Sequence, residues 1–347
     1  MGKKTISYRG SLKSCNYRCS YCPFSRHKAL GFELEKDRQQ FQRFCGSIEK
    51  RAEEFRIGAV FVVPYGEASI HKWYWEGLGR LAGISGIDRV GIQTNLSFPV
   101  EECLKVFDLQ NGEVWEEGIE KGAGGKQEEG KKKSSGQTER GQEVQGQESS
   151  RSRAGEQKNR NRQKLCIWAT FHPEMTDVDV FVDQCHKLTA CGVNLCAGAV
   201  GVPRNIPLIV KLREKLSPDI YLWINKMDGL GRNYTEEEKR AFSETDPFFG
   251  QELNNPAADA AMCRERCFVE ADGKIHACNI SKAKTVNWYE GSEEEIFQSL
   301  CGKKRCSCYL AYGGRTDFAG RQFFGEYPIF RIPAEWERDV SDGMFQL

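Results

Sequence analysis

The sequence predicts an α/β fold: a partial TIM-like (β/α)6 barrel with a small cysteine-rich C-terminal extension. Three observations carry that expectation. Apolar runs of β character alternate six times with runs of helical periodicity; the alternation resumes after a polar, low-complexity interruption; and six of the 15 cysteines lie beyond the last repeat, between positions 263 and 308. A length of 347 residues suits one α/β barrel with an appendage as well as two ordinary domains.

The strand candidates, in order, are Thr5 to Tyr8, Gly58 to Val63, Arg89 to Thr94, Leu165 to Thr170, Val193 to Gly198 and Ile220 to Asn225. Each is short, apolar and rich in β-branched or aromatic residues. Between them, Phe41, Phe44, Ile48 and Phe55 recur at helical spacing after the first strand, and Val178, Phe181, Val182, Cys185 and Leu188 after the fourth. Strands that alternate with helices form a parallel sheet through right-handed crossovers, and in such sheets the chemistry gathers at the C-terminal strand ends. Functional residues are therefore expected just after the apolar runs.

The barrel is assigned to residues 1–240, with a disordered insertion at 110–163. From Glu120 to Gln163 the only aliphatic residues are Ala123, Val144 and Ala154 and there are no aromatics, so the stretch cannot bury enough surface to offset its ordering entropy. The extension is assigned to 255–320 and a C-terminal tail to 321–347. A net charge of +1 with 29% charged residues gives no electrostatic reason to expect a nucleic acid or a membrane surface as partner. The start MGKKTISYRG lacks a signal-peptide apolar run, has Ile6 where a myristoylation signal needs Ser or Thr, and no segment reaches a membrane-spanning length, so a cytoplasmic protein is expected.

Cysteines this numerous in a chain without an export signal read as thiol ligands rather than disulfides. Cys45 and Cys185 fall on apolar helix faces, and Cys166 and Cys196 within strands, where cysteine acts as a small core residue. The loop after the first strand is different: SLKSCNYRCSYCPFS places Cys15, Cys19 and Cys22 at C-x3-C-x2-C spacing. A structural zinc site takes four ligands, as do ferredoxin clusters. Three thiolates leave one metal position open.

This spacing, with Tyr21 ahead of the last cysteine, resembles the signature of the radical S-adenosylmethionine (SAM) superfamily. The resemblance covers roughly residues 5 to 230 outside the insertion. It implies that Cys15, Cys19 and Cys22 hold a 4Fe-4S cluster whose fourth iron binds SAM, with Tyr21 packed by the adenine. Gly66 and Glu67 stand where the family has Gly-Gly-Glu-Pro, receiving the SAM amino group, although Tyr65 replaces the first glycine and Ala68 the proline. Gln93 and Asn95, in a Gln-Thr-Asn stretch, fall near the ribose. The fifth strand ends in GAVGVPR, where Gly198 and Gly201 would allow close backbone approach and Val200 would face the adenine. Thr170 and His172 end the fourth strand and Asn225 and Lys226 the sixth. For His172, a hydrogen-bonded loop histidine and a SAM or substrate contact both stay open.

Beyond the barrel, Cys263, Gly273 and Cys278 have C-x9-G-x4-C spacing, with Cys267 between. This looks like the opening of a twitch or SPASM extension, which implies an auxiliary 4Fe-4S cluster. The Asp272-Gly273 turn predicts a hairpin that brings Cys267 and Cys278 close across two strands. Cys301, Cys306 and Cys308 follow C-x4-C-x-C, short of the full SPASM series, so one auxiliary cluster is expected rather than two; six thiols exceed the four it needs, and a structural zinc is the alternative occupant.

The resemblance implies an enzyme that reductively cleaves SAM to a 5'-deoxyadenosyl radical and abstracts hydrogen from a substrate, either a peptide or protein side chain or a small molecule. A flavodoxin or ferredoxin would supply the electron. A non-catalytic iron-sulfur electron carrier or redox sensor is the alternative, and it predicts four protein ligands per cluster. A zinc-stabilised nucleic-acid binder fits the near-neutral charge less well, despite Lys131 to Lys133, Arg151 and Arg153.

Overall fold

The computed structural model describes residues 2–24, 27–108, 161–254, 265–278, 280–298, 318 and 320–333. The six expected strands are present: β1 (Lys4–Arg9), β2 (Ile57–Val62), β3 (Arg89–Thr94), β4 (Leu165–Phe171), β5 (Asn194–Gly201) and β6 (Leu222–Lys226). They pair in parallel, each with its neighbour in sequence. That unbroken order lacks the reversal of a doubly wound sheet and is the order of a partial TIM-like barrel. β5 continues past its expected end at Gly198, because Val200 and Gly201 pair with Asn225 and Lys226 of β6.

The full sheet has nine strands in the order β6-β5-β4-β3-β2-β1-β7-β8-β9. The added ones are β7 (Arg266–Glu270), β8 (Lys274–His276) and β9 (Ala283–Asn287). The expected Asp-Gly hairpin joins β7 to β8, with Gly273 at φ +86, a left-handed conformation that favours glycine. β7 also pairs in parallel with β1, Ile6 opposite Cys267. The extension is thus continuous with the barrel sheet, and it covers the edge of β1 that would otherwise expose unpaired backbone groups.

One face of the sheet carries the helices: α1 (Gly31–Arg51), α2 (Lys72–Ala82), α3 (Val100–Asp108), α4 (Val178–Ala190), α5 (Ile206–Lys215), α6 (Glu236–Thr245) and α7 (Phe249–Leu253). The apolar stripe of α1, Phe41, Phe44, Cys45 and Ile48, is fully buried, and Phe44 stacks on Tyr8 of β1 at 4.3 Å. After the hairpin, Trp288 inserts beside Phe55 and its Nε1 donates to Ser47 Oγ at 2.7 Å. Arg51, at the end of α1, donates to the carbonyls of Tyr289 and Gly291, both at 3.1 Å. The short helix α8 (Glu293–Gln298) follows.

The opposite, inner face is lined by Ala59, Phe61, Val63, Cys166, Trp168, Cys196, Trp223 and Phe268. It is covered by Phe318 and by residues 320–333, which include α9 (Arg321–Phe324). The sequence assigns 321–347 to a tail; in the structure Phe324, Ile329, Phe330 and Arg331 are buried. Aromatic residues of this segment pack on that face: Phe330 meets Phe61 of β2 edge-on at 5.0 Å, and Phe324 meets Tyr221, just before β6, at 5.0 Å. Of the expected insertion, only Asn161, Arg162 and Gln163 are described, in a helical turn entering β4. Among the described residues, no helix is long and apolar enough to cross a membrane.

Candidate functional site

The loop from β1 to α1 crosses the C-terminal ends of the strands, and those ends tie it down on two sides. On the β2 side, Glu67 N donates to Ser14 O at 2.9 Å. A Cβ on Gly66 would fall 1.8 Å from that same carbonyl oxygen, so only glycine lets the loop pass. From β3, Asn95 Nδ2 donates to Asn16 Oδ1 at 3.1 Å, and Asn16 Nδ2 donates to Ser97 Oγ at 2.7 Å. On the β4 side, the Glu174 carboxylate accepts from Ser20 N at 2.6 Å and Ser20 Oγ at 2.7 Å. Arg204, after β5, donates to Glu174 at 2.6 Å.

Under this loop lies a cavity of about 590 Å³, a size typical of small-molecule and cofactor sites. Cys15, Cys19 and Cys22 all line it. So do Tyr21, Gly66, Glu67 and Gln93, and from the later strands Asn95, His172, Val200 and Asn225. Apart from Gly198 and Gly201, the barrel positions named from the sequence are therefore brought to one place. Gly198 and Gly201 are not part of the lining: a Cβ on Gly198 would meet Trp168 Nε1 at 2.8 Å, and the Gly201 carbonyl accepts from Tyr234 OH.

The thiols sit in a setting that discourages three bare thiolates. Burial raises the pKa of Cys15, with Glu67 and Cys22 adding to the shift. Burial pushes Cys19 up to about 11, with further repulsion from Cys22 and Cys15 and an opposing hydrogen bond from Tyr21. A bound cation relieves that repulsion, so the donor set suits a thiolate-held metal or cluster. Among the described residues, no three His, Cys, Asp or Glu side chains already stand in a metal-holding arrangement.

Glu67 lines the cavity and is also hydrogen-bonded within the protein. Its side chain is buried, and its oxygens accept from Ser69 N at 3.0 Å, from Ser69 Oγ and from Asn95 N at 2.5 Å. Burial raises its pKa while these bonds oppose the rise. The carboxylate thus fastens β2 to β3 beneath the cysteine loop. Its role is to hold the floor of the cavity.

His172 lines the cavity and is hydrogen-bonded. Its Nδ1 lies 2.8 Å from Tyr21 OH and 3.3 Å from Cys19 Sγ. The Tyr21 ring runs nearly parallel to the imidazole, 14° between planes, and Tyr17 meets it edge-on. Burial lowers the histidine pKa to about 4, so the ring is neutral at ordinary pH. Thr170, two residues earlier in β4, has a buried hydroxyl without a hydrogen-bond partner among the described residues and lines the same cavity. A buried hydroxyl left in this state is suited to a ligand's polar atom.

Sequence reasoning missed the fasteners Ser20, Glu174, Arg204 and Asn16. Their signal was available in position alone: Glu174 and Arg204 follow β4 and β5 directly, where the site was expected. In the extension, Cys263, Cys301, Cys306 and Cys308 lie outside the described residues. Cys267 is packed in the helix-side core, its pKa pushed up to about 12 by burial, and Cys278 is buried at the end of the hairpin with its N–H donating to Ser281 Oγ.

No protein-family model and no curated protein matches the chain. Among solved structures, native anSMEcpe with bound AdoMet aligns over 85% of this chain and 81% of its own, at 12% identity and a TM-score of 0.46. The same protein with bound AdoMet and Cp18Cys peptide aligns over 86% and 80%, at 14% identity and a TM-score of 0.47. With AdoMet and Kp18Cys peptide the figures are 88% and 83%, at 13% identity and a TM-score of 0.47.

Proposed function

We propose that this chain is a radical SAM enzyme acting on a peptide or protein side chain. The observation that carries the reading is the placement of the C-x3-C-x2-C loop at the end of the first strand of a parallel sheet, all three thiols lining one cavity. When bound, a 4Fe-4S cluster held by Cys15, Cys19 and Cys22 supplies the electron that cleaves SAM to methionine and a 5'-deoxyadenosyl radical, which takes a hydrogen atom from the substrate.

The protein's own residues prepare that chemistry. Ser14 O, Asn16 and Ser20 anchor the loop to three strand ends, those of β2, β3 and β4, so the thiols are presented from a rigid frame. The unpartnered Thr170 hydroxyl, with Gln93 and Asn225 beside it on the lining, offers neutral polar contacts to a nucleoside. Phe24, Tyr65, Val200 and Met227 supply apolar wall that excludes water from a reactive radical. Reduced flavodoxin or ferredoxin is the electron source in this reading. A second cluster, among the cysteines at 263–308, would take up an electron after hydrogen abstraction or bind substrate; of the two described, Cys267, packed in the main core, is less suited to ligate it than Cys278.

The test is anaerobic reconstitution followed by dithionite and SAM. The protein should release 5'-deoxyadenosine, and the combined Cys15→Ala, Cys19→Ala, Cys22→Ala variant should release none. Equal release from both would sink the reading. A cluster that forms in the wild type without any cleavage of SAM would favour an electron carrier instead.

A further inference from the structure

We propose that Tyr21 and His172 form a two-donor cap on the sulfur of Cys19, and that this cap makes the cluster easier to reduce. The inference rests on the proposed reading that Cys15, Cys19 and Cys22 hold a 4Fe-4S cluster. It concerns what this chain's side chains do to one of the three ligands.

The three sulfurs are not equivalent. Cys15 Sγ receives the backbone N–H of Tyr17 at 3.4 Å, a contact any residue at position 17 other than proline could make. Cys19 is the most buried of the three, and it is approached by side chains from two separate elements. The Tyr21 hydroxyl comes from its own loop and hydrogen-bonds the thiol; His172 Nδ1 reaches it from the end of β4 at 3.3 Å. These two groups also touch each other, at 2.8 Å, which closes a compact triangle of sulfur, phenol and imidazole.

A metal-bound cysteine has lost its proton and can only accept. Within the triangle the protons must then come from the phenol and the ring, with the imidazole in its Nδ1–H tautomer. The cap thus directs an O–H and an N–H dipole at the sulfur. Reduction adds an electron to a cluster whose charge spreads onto its sulfurs, and a donor aimed at a ligand sulfur stabilises the more electron-rich state. In so buried a setting each such hydrogen bond acts more strongly than it would in water. The same contacts fix the rotamer of Cys19, which a purely steric role would also do; the reduction potential separates the two.

The experiment is an EPR-monitored redox titration of the full-length, anaerobically reconstituted protein and three variants. Tyr21→Phe and His172→Ala should each move the midpoint negative. At the wild-type midpoint the ratio of reduced to oxidised cluster should drop about tenfold, which is about 59 mV for a one-electron couple. His172→Asn should stay near the wild type, because its amide N–H falls near the position of Nδ1. A wild-type protein that binds no 4Fe-4S cluster removes the underlying reading, and the cap with it. A wild-type cluster whose midpoint is unchanged by Tyr21→Phe and His172→Ala overturns the cap alone. Should His172→Ala fail to hold iron, Tyr21→Phe and His172→Asn decide: a midpoint unmoved in the first, or moved negative in the second, overturns it.

Discussion

At Gly66 a single hydrogen atom in place of a side chain allows the cysteine loop to reach the cavity. The atoms nearest an added Cβ are Ser14 O at 1.8 Å and Ser14 C at 2.4 Å, both backbone, so no side-chain rotation can make room. Gly66→Ala should therefore push the loop off the end of β2 while leaving the sheet formed. Overpacking of this kind costs about 1–3 kcal/mol. The expected result is a modest loss of stability in urea and a large loss of iron on reconstitution; full iron loading would contradict it. The position was legible in the sequence and its reason was not. A Gly-Glu pair after a strand was read through a resemblance as a ligand contact, whereas packing against Ser14 and the bonds of Glu67 to Ser69 and Asn95 explain both residues locally. The cysteines were legible for a different reason: only thiols at close spacing offer that chemistry, so residue type alone carried the signal.

Among the elements, the segment at 320–333 is where pattern and structure part. The strands were found because their centres are apolar, and β2 and β4 are buried along their whole length, as strands covered on both faces must be. It could not say what covers the second face. The covering segment is short and irregular, and Phe324, Tyr327 and Phe330 read equally well as a loose tail. Phe330 shows how firmly it is seated: its ring lies edge-on to Phe61, and a Cβ on Gly91 of β3 would come within 2.7 Å of it. Arg331 follows, with its guanidinium carbon 3.7 Å from the centre of the Trp168 ring and 3.0 Å from that of Trp223, a cation-π arrangement desolvated on both sides. Phe330→Ala should cost about 3–5 kcal/mol, the range for an emptied aromatic site in a packed core. Urea unfolding measures it directly. A shift within the error of the midpoint would mean that the segment merely rests on the sheet.

Across the whole molecule, the six-fold alternation led to the expectation that the candidate residues share one end of the sheet, and they line one cavity there, since parallel strands connected in sequence order bring their C-terminal ends together whatever lies between them. The buried carboxyls had no such rule. Beside β6, Asp246 and Glu252 are buried near Arg331. Burial raises Asp246 to about 6 against hydrogen bonds from Ile224 N, Tyr221 OH and Phe248 N, and raises Glu252 to about 7 against bonds from Lys226 N and Trp223 Nε1. Both groups hold a proton more tightly folded than unfolded. The stability they contribute is complete below their ordinary carboxylate range and is lost as pH rises through about 6 and about 7. His172 runs the other way, its neutral form favoured by folding, so its contribution is present above its ordinary value and lost as pH falls toward about 4. The wild-type pH profile mixes the two, and isosteric variants separate them. Asp246→Asn and Glu252→Gln each remove one titration and also misplace one acceptor, so both should melt below the wild type. Their deficit should shrink as pH rises from about 5 to about 8, because only the wild type loses the carboxyl contribution over that interval. Melting curves of the three proteins in matched buffers test this, and a deficit that widens with pH would show that these carboxyls are held ionised by Arg331 instead.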